Sequence, residues 1–220
     1  MTQQPPLFPL PEGALRPQAR VIVLTGPSGS GKTSLTNRLG FPSLSLDNFY
    51  RNDDEEGMPR LAGGLIDWDD PASWAQDEAM EALSTLCLTG RARVPIYNIP
   101  TNQRTGMEQF DLGGQQVVIV EGIFASLLVE PLRQEGLLLG AVCIARSPMR
   151  NAWFRLARDL GEARKPVPVL LWRGFKLALS EPKQVQRWIG HGCEPAKSLG
   201  AADRRIREIV ASAHIPPPPV

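Results

Sequence analysis

The 220-residue chain is 42% hydrophobic and 21% charged with a formal net charge of +1, which leaves room for one α/β domain with a sizeable core. Balanced charge removes the case for nucleic acid or an anionic membrane as partner. Three widely separated cysteines, Cys87, Cys143 and Cys193, exclude a self-contained disulfide framework and suit a reducing compartment.

Residues 1–18 hold five prolines, no basic n-region and no apolar h-region, and read as an extended leader rather than a signal peptide. Arg20–Thr25 is an apolar strand, and Thr33–Leu39 opens the first helix. Ser43–Leu46 is a second, short strand. After a polar stretch, Asp70 caps a helix whose first turn holds Pro71; it runs to about Thr89, with Gly90 as its stop. Arg93–Tyr97 is strand-like. Gln116–Val120 and Leu138–Ala145 read as fully buried strands, the former by its continuous β-branched run. A basic helix follows from about Pro148 to Ala163, Lys165–Pro168 breaks the chain, and helical segments fill most of the remainder. Ile215–Val220 contains four consecutive prolines, which rules out a helix there. Strands alternating with helices predict a doubly wound, mostly parallel sheet of about five strands in one domain, residues 19–213, with 214–220 as a proline tail. No apolar run reaches the length of a membrane span, so the expected address is cytoplasmic.

The strongest local signal is Gly26-Pro27-Ser28-Gly29-Ser30-Gly31-Lys32-Thr33, a complete G-x-x-x-x-G-K-[ST] with a strand running in and a helix running out. Its glycines let successive backbone N–H groups turn inward as an anion nest. The helix N-terminus adds its positive dipole end. Lys32 is placed to reach β and γ phosphates, and the Thr33 hydroxyl to ligate Mg²⁺. The pattern predicts a P-loop NTPase that binds ATP with Mg²⁺.

Two acids follow from the same logic. Val117-Val118-Ile119-Val120-Glu121-Gly122 ends a buried strand in a carboxylate, as a Walker B position does, so Glu121 is expected near Thr33 on the metal side. Leu44-Ser45-Leu46-Asp47 puts a second carboxylate on that edge, where it can take a proton from an attacking hydroxyl. Asp111-Leu112-Gly113-Gly114 matches the D-x-x-G of GTPases, but no N-K-x-D guanine-reading motif accompanies it, and a turn is expected. His191-Gly192-Cys193 has too few ligands for zinc, and its loop is a candidate neighbour of the adenine ring.

Taken together, Gly26–Thr33, Ser45-Leu46-Asp47-Asn48-Phe49-Tyr50, Asp67-Trp68-Asp69-Asp70-Pro71, Val94-Pro95-Ile96-Tyr97 and Val120-Glu121-Gly122 resemble the uridine kinase family, which neighbours phosphoribulokinase, pantothenate kinase and nicotinamide riboside kinase. The resemblance covers roughly residues 20–165. It implies an ATP- and Mg²⁺-dependent kinase for a small-molecule hydroxyl, most directly the 5′-OH of uridine or cytidine in nucleoside salvage. Asp47 resembles the family's catalytic base and metal-side acid, Asp69 the acid that holds the ribose hydroxyls, and Tyr97 a residue lining the nucleoside pocket. Arg104 keeps a basic position on the acceptor side. The helix bearing Arg155, Arg158, Arg164 and Lys165 resembles an arginine lid, over about residues 150–168. Arg155 and Arg158 share one helix face and can neutralise charge on the transferred phosphoryl group.

The chain departs from the family after Tyr97, where an aromatic and a histidine that read the pyrimidine are replaced by Ile99 and Asn102. That change predicts loose base selection. It also leaves two other readings open, a kinase for another ribosyl or pantothenate-like alcohol and an ATP-binding regulatory module with no small-molecule acceptor.

Overall fold

A computed structural model of the chain describes residues 17–146, 181–215 and 218. The predicted arginine lid, with Arg155 and Arg158, lies outside these residues, as does most of the proline-rich leader. The order of elements is β1 (Arg20–Thr25), α1 (Lys32–Leu39), β2 (Ser43–Ser45), α2 (Gln76–Thr89), β3 (Arg91–Asn98), β4 (Gln103–Asp111), β5 (Val117–Glu121), α3 (Val129–Gln134) and β6 (Leu138–Ile144). A helical stretch α4 over 181–190 follows, then β7 (Glu194–Ala196) and α5 (Leu199–Ser212).

Five strands form a parallel sheet in the order β2-β5-β1-β6-β7. Successive side chains of β1 enter two different cores. Val21 and Val23 pack with Val118, Val120, Leu83, Leu86, Leu132 and Trp188 on one face. Ile22 and Leu24 pack with Ile119, Leu35, Leu39, Ile206 and Ile209 on the other. α2, α3 and α4 therefore cover one face, and α1 and α5 the other. With both faces buried, a central strand needs no polar alternation, which is why β1, β5 and β6 read as continuous apolar runs. Full burial of each such Val, Ile or Leu side chain contributes ~1.5–3 kcal/mol.

The fifth strand is β7, in a region the sequence reads as helical. Arg91–Asn98 belongs elsewhere: β3 pairs antiparallel with β4 in a separate two-stranded ribbon. β4 escapes a period-based reading because its middle, from Thr105 to Gln109, is exposed on both faces. The expected turn at Asp111 is present, with the Gly113 N–H donating to Asp111 Oδ1 at 2.8 Å.

The helix capped by Asp70 is split. Asp70 does accept from the Ala72 N–H, but over a single 3₁₀ turn, Pro71–Ser73. The chain is then extended at Trp74, which bridges Tyr50, and α2 starts only at Gln76. Trp74 is buried and its indole N–H donates to the Leu46 carbonyl at 2.8 Å. Helical continuation would turn this ring out of the core. Burial of the indole with its N–H satisfied outweighs the propensity of the intervening residues.

Candidate active site

Parallel pairing brings the functional ends of three strands together. Leu24 of β1 and Ser45 of β2 both pair with Glu121 at the end of β5, so the residues that follow β1 and β2 emerge beside Glu121 at the C-terminal edge. Beyond β1 the loop Gly26–Gly31 leads to α1, whose N-cap Gly31 has φ +90° and no side-chain cap. A Cβ at Gly31 would sit 2.9 Å from Leu199 Cδ1 and would be strained at that φ, so only glycine fits. The first amides of α1 are thus left without a side-chain partner, as an anion site requires.

The Lys32 ammonium donates to the carbonyls of Gly26 at 3.0 Å and Pro27 at 3.4 Å. It also stands 3.9 Å from Glu121 Oε2. The Thr33 hydroxyl donates to Glu121 Oε1 at 3.1 Å. Lys32, Thr33 and the strand-end acid are therefore one cluster, joining residues 88 positions apart in sequence.

Asp47 lies in a 3₁₀ turn, Leu46–Phe49, directly after β2, and its own N–H donates to the Ser45 side chain. Burial lifts its carboxyl above the ordinary value, Lys32 opposes that rise, and Glu121 adds to it. All three charges thus act on one another. Gly122 permits this proximity, since a Cβ there would lie 3.1 Å from Leu46 Cβ and 3.6 Å from Asp47 Oδ1. The segment behind Glu121 is anchored by Thr25, whose hydroxyl donates to Gly122 O at 3.0 Å. Trp188 donates to Ile123 O at 3.2 Å from the other side.

Next to Asp47, aromatic rings form a wall. Tyr50 lies 5.6 Å from Trp68, 5.7 Å from Tyr97 and 6.0 Å from Phe124, between ring centroids. The Tyr50 phenol is held far above its ordinary pKa by burial and then by Asp47, Asp69 and Tyr97. It stays a donor, to Trp68 O at 3.2 Å. The phenol thus feels both Asp47 and the exposed Asp69. The Tyr97 hydroxyl is pushed up to about 12, by burial first and then by Asp53, and donates to Arg51 O at 3.4 Å.

Ile99 is 55% exposed, and Asn102 takes a left-handed φ of +53° at the tip of the β3–β4 ribbon. Arg104 sits on β4, and its guanidinium reaches the protein groups Tyr50 O, Phe49 O and Glu78. His191 pairs its Nδ1 with the Ser126 hydroxyl at 3.0 Å. Sequence reasoning assigned no role to Tyr50, Gly122 or Phe124. The first two stood inside motifs already singled out, whereas Phe124 becomes visible only through its contacts.

The residues fit the groups that a P-loop implies. Ser30 Oγ is buried and without a hydrogen-bond partner inside the loop, an orphan that a phosphate oxygen would satisfy. Glu121, Asp47 and the Thr33 hydroxyl are hard oxygen donors. Among the described residues no three His, Cys, Asp or Glu side chains converge on one point. Such a set suits Mg²⁺, which binds through one or two carboxylates together with phosphates and water.

A phosphate loop between a buried parallel strand and a helix, with a strand-end carboxylate on the loop's Thr, defines a P-loop nucleotide-binding fold. The model of the Phosphoribulokinase / Uridine kinase family matches residues 21–160, and the chain belongs to that family. It is 36% identical over 118 residues to uridine kinase of Bacillus pumilus, covering 50% of this chain and 55% of that protein. To uridine kinase of Schizosaccharomyces pombe it is 35% identical over 115 residues, 49% of this chain and 25% of the other. An inorganic pyrophosphatase of Arabidopsis thaliana is 36% identical over 118 residues, which is only 16% of its length. The aligned segment thus spans 55% or less of each of these relatives. Among solved structures, a candidate fructose transport system kinase from Silicibacter sp. TM1040 shares the fold. It has a TM-score of 0.60 at 15% identity, over 82% of this chain and 88% of that one. No helix among the described residues is long and apolar enough to cross a membrane.

Proposed function

We propose that this chain transfers the γ-phosphoryl group of ATP to a hydroxyl of a small molecule, with the 5′-OH of a ribonucleoside such as uridine or cytidine as the leading acceptor. The observation that carries the reading is the half-buried Asp47 carboxyl, which shares its charge environment with Lys32 and Glu121 and, together with Asp69, acts on the Tyr50 phenol. A pure nucleotide-sensing module has no use for a proton acceptor there.

In this reading Gly26, Pro27, Ser28, Gly29, Ser30, Gly31 and Lys32 hold the nucleotide phosphates through backbone N–H groups and one ammonium. Mg²⁺, when bound by Thr33, Glu121 and Asp47, offsets charge on the phosphoryl group. Asp47 accepts the proton of the attacking hydroxyl. Asp69 takes the ribose hydroxyls and the edge of Tyr97 lines the base. Arg155 and Arg158, outside the described residues, supply charge to the transferred group from the lid. With Ile99 largely exposed and Asn102 at a ribbon tip, nothing at those positions reads a pyrimidine edge, so the choice among bases is loose.

The test is ADP release with and without a panel of ribonucleosides, vitamin alcohols and sugar phosphates. The expected result is stimulation by one or more ribonucleosides. Stimulation by a pantothenate-like alcohol alone would move the acceptor. Release indifferent to every alcohol would favour the regulatory module.

A further inference from the structure

We infer that Arg104 is a positioning residue for Asp47, although its place in the sequence invites a role in holding the acceptor. The inference rests on the kinase reading above and adds how the proton-accepting turn is kept rigid. The turn Leu46–Phe49 is short and its hydrogen bonds are of the weaker 3₁₀ kind, so its own backbone cannot fix Asp47 firmly. Outside groups hold its first and last carbonyls. Trp74 donates to Leu46 O at 2.8 Å. The Ala75 N–H donates to Phe49 O at 2.9 Å, while the turn's own closing bond, from the Tyr50 N–H to Asp47 O, is long at 3.4 Å. Arg104 adds two bonds at its C-terminal end: Nε donates to Tyr50 O, just after the turn, at 2.9 Å and Nη2 to Phe49 O at 3.3 Å.

The third arm of the same guanidinium pairs with Glu78 in the first turn of α2 at 2.8 Å. The backbone of Arg104 is itself held, its N–H donating to Asn52 Oδ1 at 2.7 Å. One planar group therefore ties the β3–β4 ribbon and α2 to the C-terminal carbonyls of the turn that carries Asp47. The fork is what makes this possible, since it presents separate donors in fixed directions that an ammonium cannot reproduce. All three nitrogens of the guanidinium are engaged by protein, using three of its five N–H donors, and this fixes the group against the turn. The ribbon, which contributes no strand to the main sheet, thereby gains a function as a bracket for the catalytic turn.

The experiment compares wild type with Arg104→Lys, Arg104→Gln and Glu78→Gln, reading kcat and KM for the best acceptor and amide hydrogen exchange across residues 46–50. Loss of register at a proton acceptor costs on the order of 10–100-fold in rate. The expectation is a kcat loss of that size in both Arg104 variants, with acceptor KM within about twofold of wild type. Lysine should not rescue, and exchange at the Asp47 and Tyr50 amides should rise. Glu78→Gln, which leaves both carbonyl bonds in place and guards against a folding defect, should move kcat in the same direction by less. A tenfold or larger rise in KM with kcat kept, or rescue by lysine, would make Arg104 an acceptor ligand and overturn the inference. If wild type itself shows no acceptor-stimulated turnover, the kinase reading fails, and exchange at 46–50 still decides the positioning role. Unchanged exchange would overturn it.

Discussion

The hydroxyl of Thr33 donates to the carboxylate of Glu121 across 3.1 Å, joining the first residue after the loop lysine to the last residue of β5, which lies between β2 and β1 in the sheet. In the proposed function this contact marks the side of the site where Mg²⁺ would bind. Both groups are ones that a hard cation would take over, and the Lys32 ammonium 3.9 Å from the same carboxylate offsets its charge meanwhile.

Glu121→Gln keeps size and burial but removes the charge. Nucleotide affinity should survive in this variant. The magnesium concentration for half-maximal turnover should rise by on the order of tenfold, because a neutral amide is the poorer partner for the metal shell. A magnesium titration of ADP release checks this. An unshifted titration would reduce Glu121 to a structural strand end.

Gly122→Ala tests the close approach of β5 to the Asp47 turn. The added methyl meets Leu46 Cβ at 3.1 Å, a backbone-proximal atom that cannot swing aside. Overpacking of this kind costs ~1–3 kcal/mol, so the melting temperature should fall by roughly 2–10 °C. Turnover should drop more than nucleotide affinity, since the methyl displaces Asp47 rather than the P-loop. Calorimetric melting together with ADP release separates the two effects.

How much of this was legible in the chain depends on where the signal is stored. The P-loop could be read because its chemistry needs contiguous residues, and β1, β5 and β6 because burial on both faces demands unbroken apolar runs. Asp47 and Glu121 followed, since parallel strands end together. β7 was not legible: it has three residues, one of them Pro195, and its Glu194 and Pro195 side chains are exposed. Its pairing comes from β6 rather than from its own sequence. Arg104 was visible as a residue but not as a bracket, because carbonyls 54 and 55 positions away in the chain leave no pattern of their own.

The three cysteines give a check on core integrity. Burial pushes the Cys143 thiol up to about 11 and the Cys87 and Cys193 thiols up to about 12. A raised pKa means almost no thiolate at pH 8, and the thiolate is the reactive form. Titration of the native protein with a chromogenic disulfide at pH 8 should therefore find no fast-reacting thiol, and three in denaturant. A rapid native reaction at any of them would mean that its side of the sheet opens readily.

The most direct measurement is acceptor-stimulated ADP release by Asp47→Asn, paired with calorimetric nucleotide affinity. If Asp47 takes the proton of the attacking hydroxyl, the stimulated rate should fall by on the order of 10²–10⁴ while nucleotide affinity changes by less than about threefold. A stimulated rate equal to that of wild type would take Asp47 out of the chemistry and, with it, the case for a kinase over a nucleotide sensor.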